Sequence, residues 1–211
     1  MKLTTDRIID AGMTAFAEVG YQALSMRQVA ERLDVHAGSL YYHVRNKGAL
    51  LQLMADRVAR QAYDDGTAAL AALPDDADWP ARVEAQASTL RESIKRHPGG
   101  AILLADSPKV LSSGALSVME RLLQTLAEAG VPDPHRIIGA DALLSYVTGF
   151  VLQEQSESDT PDIDAATFAD LGERFPLTIA SASQHGLDET FAQSIRLLCA
   201  GIDGLRSGGQ E

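Results

Sequence analysis

Apolar residues recur along the chain at helical spacing, and polar breaks marked by Gly, Pro, Asp or Ser divide them into segments. In residues 6–20, Ile8, Gly12, Ala15, Phe16 and Val19 share one face of a 3.6-residue period, and Gly20 supplies the stop. Leu24-Ser25-Met26-Arg27-Gln28-Val29 predicts the next start, with Ser25 as N-cap, Gln28 completing a capping box, and Leu24 and Val29 as a hydrophobic staple. This second helix buries Met26, Val29, Ala30 and Leu33. It must end near Asp34, which tolerates a left-handed turn, because a third helix begins around Ala37. Leu40 and Val44 are the inward pair of that brief helix. Asn46 caps a fourth, which opens at Lys47 and runs past Tyr63.

The pattern breaks at residues 73–78, and Asp78 with Pro80 restarts a helix to about Arg96, ended by His97-Pro98-Gly99-Gly100. A short apolar piece, Ala101 to Ala105, leads to Ser107-Pro108. Leu116, Met119, Leu122, Leu123 and Leu126 then mark a helix closed by Gly130. Residues 135–155 are apolar on nearly every side, so that helix must be covered twice. Ser156 to Asp164 reads as an acidic loop, and the helix after it breaks at Phe175-Pro176 and stops by Gly186. The last helix, Asp188 to Arg206, carries Phe191, Ile195, Leu198, Ile202 and Leu205 as one stripe, with Ala200, Gly201 and Gly204 open to close approach on another face. Ser207 to Glu211 reads as a frayed tail.

Short β-branched runs and 5% aromatic residues leave little to build strands from, so an all-α fold is expected. The net charge of −11 argues at first against nucleic acid, but it is unevenly placed. Residues 1–63 carry eight basic and six acidic side chains, so the remaining 148 residues hold −13. A DNA-tolerant end on an acidic body is the consequence.

No stretch approaches the roughly 20 apolar residues of a membrane span, and the start lacks a leader's apolar core, so a soluble cytoplasmic protein is expected. Cys199 excludes an intrachain disulfide and reads as an inert core thiol rather than a redox sensor. His36, His43, His97, His135 and His185 show no paired ligand spacing, and neither a phosphate-cradling loop nor a Gly-x-Ser-x-Gly elbow is present. Neither metal, cofactor nor enzyme chemistry is expected. Asp75, Asp76, Asp78 and the stretch from Glu154 to Asp164 read as solvated loops that keep the acidic body away from phosphate.

The informative segment is residues 24–51. Two short helices across a three- or four-residue turn form a helix-turn-helix, whose second helix can enter a major groove while the first braces it. With Leu40 inward, a rotation of 100° per residue turns Gly38, Tyr42 and Arg45 outward, places Ser39 and Tyr41 beside them, and puts His43 nearer the buried edge. Such a surface suits van der Waals contact with bases and hydrogen bonds to phosphate. Ser25 and Arg27 lie in the first turn of the bracing helix and Lys47 at the start of the fourth, where the helix dipole also favours phosphate. On spacing alone, an ordinary helical hairpin with packing tyrosines remains an equal alternative.

Leu40-Tyr41-Tyr42-His43-Val44-Arg45-Asn46-Lys47 with Ala49-Leu50-Leu51, preceded by the Gly20-Tyr21 turn, resembles the signature of the TetR family of bacterial transcription regulators over about residues 5–63. The resemblance implies a homodimer whose two recognition helices meet successive major grooves of a palindromic operator, released when a small molecule binds the C-terminal domain. Residue by residue it implies DNA contacts at Arg27, Ser39, Tyr41, Tyr42, His43 and Lys47. His97 with Gly100-Ala101, the run Met119 to Gly130, and Gly149 to Gln155 are similar, more loosely, to the tetracycline-binding members. Leu104 and Gln153 stand where those members use a His and a Glu in holding magnesium.

The expected architecture is a helix-turn-helix DNA-binding domain at residues 1–63 and a larger helical ligand-binding and dimerisation domain at residues 64–206. Helices 135–155 and 188–206 are expected to pair with their mates across the dimer. Tyr63, Gln86, Leu90, Ile94, Leu104, Leu122, Tyr146 and Phe150 are candidates to line a cavity for a metal-free, moderately lipophilic effector. Two rival classes stay open: a helical enzyme or carrier with a non-reading helix-turn-helix, and a protein-interaction adaptor.

Overall fold

Side chains close the backbone donors where most of the helices begin, and this sets their starts. The oxygen of Thr4 accepts from Arg7 N, Ser25 from Gln28 N, Asn46 from Ala49 N, Asp78 from Ala81 N, Ser112 from Ala115 N and Asp164 from Thr167 N, all within 3.3 Å. At Ser25 the box is reciprocal, since Gln28 Oε1 accepts from Ser25 N at 2.8 Å.

The computed structural model describes residues 2–107, 112–156, 164–182 and 186–207. Among them lie eleven helices and no strand: α1 (Thr5–Ala23), α2 (Met26–Leu33), α3 (Ala37–Tyr41), α4 (Lys47–Ala71), α5 (Trp79–Lys95), α6 (Gly100–Asp106), α7 (Ser113–Glu128), α8 (Asp133–Ser156), α9 (Ala165–Arg174), α10 (Pro176–Ala182) and α11 (Leu187–Ser207). Pro108, His185, the acidic loop over residues 157–163 and the tail beyond Ser207 lie outside the described residues. No described helix is long and apolar enough to cross a membrane.

Two apolar cores result. One gathers Ile8, Phe16, Leu24, Val29, Leu40, Val44, Leu50 and Met54 from α1 to α4 and the α3–α4 turn, with Leu103 of α6. The other gathers Val58, Ala62, Val83, Leu90, Ile94, Leu122, Leu126, Leu143, Val147, Phe191 and Ile195. The helix α4 runs through both. Each fully buried side chain of this size contributes about 1.5–3 kcal/mol by leaving water.

The breaks fall where backbone chemistry requires them. Asp34 ends α2 at φ 53°, ψ 50°, in the left-handed region expected of it. Gly20 leaves helical geometry at φ 74°, but helical bonding resumes to Ala23, so the glycine bends α1 instead of ending it. Val19, beside that bend, is exposed. The piece after Gly99 is a true helix. Gly99 precedes it at φ 71°, and a Cβ there would lie 2.5 Å from the Phe16 ring, so both conformation and space demand glycine.

Two further residues depart from the sequence pattern. Leu205 does not complete the α11 stripe: it is exposed, and Cys199 is buried beside Ile195 and Ile202. Glu154 is not a solvated loop residue but a buried member of α8. Arg91 of α5 is also buried, donating to Glu154 from Nε at 2.9 Å and Nη2 at 2.5 Å, and to Asp188 from Nη1 at 2.8 Å. Its guanidinium lies 4.8 Å and 5.2 Å from the ring centroids of Phe191 and Phe150. Only three-dimensional pairing lets charge be buried this way, and nothing in the local pattern announces it.

The hydrogen bond from Arg91 holds the Glu154 carboxyl below its usual range, against the opposing effect of burial. A depressed carboxyl pKa supplies stability that is complete above the unfolded value and is lost as pH falls through the folded one. Arg91→Ala is therefore expected to lower the unfolding free energy by about 3 kcal/mol in urea titrations at neutral pH, because it leaves the buried Glu154 carboxylate only Lys95 Nζ, at 3.5 Å, as an ionic partner. The loss should shrink as pH drops below the ordinary carboxylate range. A neutral-pH loss under about 1 kcal/mol would show the pair to be dispensable.

Candidate nucleic-acid interface and ligand cavity

The capping box at Ser25 and the left-handed Asp34 turn fix α2 against α3, and Leu40 and Val44 anchor α3 to the first core. The opposite face of α3 is left outward. Tyr42 is 95% exposed and Tyr41 51%, with Gly38, Ser39, His43 and Arg45 also exposed. His43 departs from the rotation expected of it: α3 stops at Tyr41 and the chain leaves in a turn, where His43 N donates to Leu40 O at 2.9 Å. A helical rotation does not extend past the helix end.

Charge pairing sorts the basic residues of this region. Arg27 meets Glu31 at 2.9 Å, Arg32 pairs with Glu18, Arg57 with Asp6 and Asp10, and Arg60 with Asp56 at 2.6 Å. Lys47 Nζ donates to the carbonyls of Tyr21 at 2.9 Å and Gln22 at 3.1 Å, so its ammonium braces the end of α1 against the start of α4. Arg45 is exposed beside Tyr42, and among the described residues it has no ion pair. Ser25 Oγ is engaged in its own cap.

A cavity of about 430 Å³ opens between α4, α5, α6, α7 and α8. Its walls are Ala59, Leu90, Leu104, Ala105, Ala115, Leu116, Val118, Met119, Leu144, Gly149 and Leu152, with Ser145 and Thr148 as the polar members. Thr148 Oγ1 donates to Leu144 O at 2.9 Å, which leaves its lone pairs free to accept from a guest. No charged side chain lines the space.

Of the eight lining residues expected from sequence, Leu90 and Leu104 are there. Gln86 and Leu122 border a neighbouring void of about 20 Å³ that shares Leu90, Val118 and Leu144 with the cavity. The Gln86 amide is already engaged, donating to Thr125 Oγ1 at 2.9 Å and accepting from Arg121 Nε at 3.2 Å. Ile94 is fully buried core, and Tyr63 lies under the Arg121 guanidinium at 4.6 Å. Tyr146 stacks on Phe191 of α11 at 5.9 Å between ring centroids, and Phe150 meets it edge-on at 5.2 Å. On a helix apolar all round, hydrophobicity cannot say which face meets a cavity. The face that does carries Leu144, Ser145, Thr148, Gly149 and Leu152, which the i, i+4 spacing groups once any one of them is placed.

The helix α6 touches both regions. Leu103 enters the first core while Leu104 and Ala105 line the cavity, and the Tyr21 hydroxyl of α1 hydrogen-bonds the Asp106 carboxylate. Elsewhere α8 and α11 present an apolar surface to solvent. Ile137 and Ile138 are exposed on α8, and Leu197 (73%) and Leu205 on α11, where added Cβ atoms at Gly201 and Gly204 would meet nothing. Ile195, by contrast, is fully buried in its own chain.

The model for the tetracyclin repressor-like C-terminal domain matches residues 71–206, and that for bacterial regulatory proteins of the tetR family matches residues 8–54. The chain belongs to the TetR family. Among TetR-family relatives, the HTH-type transcriptional repressor DrrR1 of Streptomyces coeruleorubidus is 33% identical over 167 residues, covering 77% of this chain and 59% of that protein. The class C tetracycline repressor protein of Escherichia coli is 25% identical, over 97% of this chain and 93% of its own. The Streptomyces coelicolor TetR family protein ActR, solved with actinorhodin, superposes with a TM-score of 0.78 at 25% identity, covering 98% and 100% of the two chains. Relative to the tetracycline-binding members, Leu104 sits in the cavity wall and Gln153 is exposed outside it. Among the described residues no cluster of three or more His, Cys, Asp or Glu side chains could hold a metal.

Gly38 generates a prediction about the free protein. It lies in helical backbone with open space where a Cβ would stand, so the fold itself places no demand for glycine there. Gly38→Ala is expected to raise unfolding stability by about 0.5 kcal/mol, measured by urea titration of the unliganded protein. A loss of stability would mean that the fold uses this glycine.

Proposed function

We propose that the protein is a ligand-responsive transcriptional repressor that binds a palindromic operator as a homodimer and leaves it when a small molecule occupies the cavity. The observation that carries this reading is the outer face of α3. Tyr42 projects almost wholly into solvent beside Tyr41, Ser39 and the unpaired Arg45, although burying an aromatic ring of this size elsewhere would be favourable. A groove of duplex DNA accounts for that surface, with Gly38 permitting close approach and Arg27 reaching phosphate at the edge. His43, also exposed, joins the contacting set, while Ser25 and Lys47 hold α2 and α4 in place.

In this proposal residues 1–63 form the DNA-binding domain and residues 64–206 the ligand-binding and dimerisation domain. The division falls within α4, a single helix, so the two domains are joined by a rigid element. Dimerisation uses the exposed apolar strip of α8 and α11: Ile138, Leu197, Gly201 and Gly204 let two copies pack as a four-helix bundle. The effector is a metal-free, moderately lipophilic molecule whose hydrogen-bond donor meets Thr148. The uncharged walls support this, as does a fold shared with the actinorhodin-bound ActR. The protein catalyses no reaction in this account and works in the cytoplasm, where its DNA lies.

Occupying the cavity presses on α4 at Ala59 and on α6 at Leu104 and Ala105, and both helices also pack in the first core. The ligand thereby favours a state in which the two α3 helices no longer match successive grooves, about 34 Å apart.

Operator affinity is measured on a duplex selected from random sequence by the protein itself. Tyr42→Ala is expected to weaken that binding by about 1–3 kcal/mol while leaving the dimer and its unfolding midpoint unchanged; equal affinity would remove Tyr42 from the interface. Leu197→Asp is expected to give a folded monomer by sedimentation, whereas Ile195→Asp disrupts the fold itself. A normal Leu197→Asp dimer would place the interface elsewhere.

A further inference from the structure

Helices α4 and α7 come together where Gly114 faces the α4 backbone. A Cβ at that position would stand 2.7 Å from both Asp56 O and Arg60 N, so the approach requires glycine. At the same point the Asp56 carboxylate of α4 enters the first turn of α7. Its Oδ1 accepts from Gly114 N at 2.8 Å, Ser112 Oγ at 2.9 Å and Ser113 Oγ at 3.4 Å. Its Oδ2 accepts from Arg60 Nε at 2.6 Å, and Arg60 Nη2 donates to Ser113 Oγ at 2.6 Å.

The start of α7 is therefore capped twice, by Ser112 in its own chain segment and by a carboxylate from another helix. Burial would raise the Asp56 carboxyl, but the Gly114, Arg60 and Ser112 hydrogen bonds outweigh it and hold the group below its ordinary value. A negative charge at a helix N-terminus is in the favourable position for the dipole.

The place of this contact gives it a second consequence. Ala59, nearly one turn along α4 from Asp56, lines the cavity, as do Ala115 and Leu116 directly after the capped residues. On the other side of Asp56, α4 contributes Leu50, Leu51, Met54 and Ala55 to the core that carries α3. The contact joins a cavity wall to the helix on which the outward tyrosines depend.

We propose that Asp56 is a positioning residue, whose carboxylate, with Gly114, fixes α4 against the N-terminus of α7 and so sets the spacing of the two α3 helices in the dimer. This rests on the dimeric, operator-binding reading above.

The test places a nitroxide at Tyr42→Cys in the full-length protein and measures the distance between the two labels by double electron–electron resonance. Cys199 does not interfere, being buried with its thiol pushed up to about 11 by that burial. The labelled parent is expected to give one narrow distribution. Asp56→Ala and Gly114→Ala in that background are expected to shift or broaden it by several ångströms, roughly a turn's rise or less, at unchanged helicity and dimer content. The same substitutions with Tyr42 intact should weaken operator binding about tenfold. Asp56→Asn, which keeps the Oδ1 acceptor of Gly114 N but loses the Oδ2 acceptor of Arg60 Nε, should restore the parent distribution in part. Unchanged distances in Asp56→Ala would overturn the inference and leave Asp56 an ordinary cap, even where Gly114→Ala fails to fold. A monomeric parent would overturn the dimeric reading instead, which separates the two failures.

Discussion

The arrangement depends on one helix belonging to two cores. Residues Leu50, Leu51, Met54 and Ala55 of α4 belong to the core that also holds residues of α1, α2 and α3, and Val58 and Ala62, only a turn later, belong to the core shared with α5, α7 and α8. Because a helix is stiff over a few turns and close-packed interiors resist gradual deformation, neither end of α4 can shift without displacing the packing of the other. The cavity touches α4 at Ala59, close to that junction. A guest of drug-like size placed there works against the joint between the cores rather than against either core alone.

Electrostatics divide the labour along the chain. The net charge of −11 is concentrated beyond residue 63, where it repels phosphate and confines any DNA contact to the N-terminal end. Within that end, four arginines are paired with carboxylates and Lys47 with carbonyls, which leaves Lys2, Arg7 and Arg45 without a carboxylate partner among the described residues, and of these Arg45 lies nearest the outward tyrosines in sequence.

Local chemistry made much of the fold legible. Ser25, Asn46 and Asp78 each cap a helix, and Asp34 adopts the left-handed turn that its position required, because caps and turns involve residues three or four apart. What escaped the sequence depends on partners far along the chain. Arg91 and Glu154 are 63 residues apart, and Asp56 and Gly114 are 58. The outward set Gly38, Ser39, Tyr41 and Tyr42 followed from rotation, Tyr42 being the C-cap and still helical at φ −68°, ψ −29°, but His43, one residue past the cap, did not. Leu90 and Leu104 line the cavity, while Tyr146 and Phe150 pack with Phe191 of α11, because hydrophobicity on every side of α8 conceals which stripe meets empty space. Likewise the buried stripe of α11 was separable from its open face, but Leu197 gave no sign of lying on the latter.

The most direct measurement of the central claim is hydroxyl-radical footprinting of the full-length protein on a duplex it has selected. Two protected patches related by a two-fold axis are expected, with centres one helical turn, about 10–10.5 base pairs, apart. A single unpaired patch, or protection spread uniformly along the duplex, would contradict it.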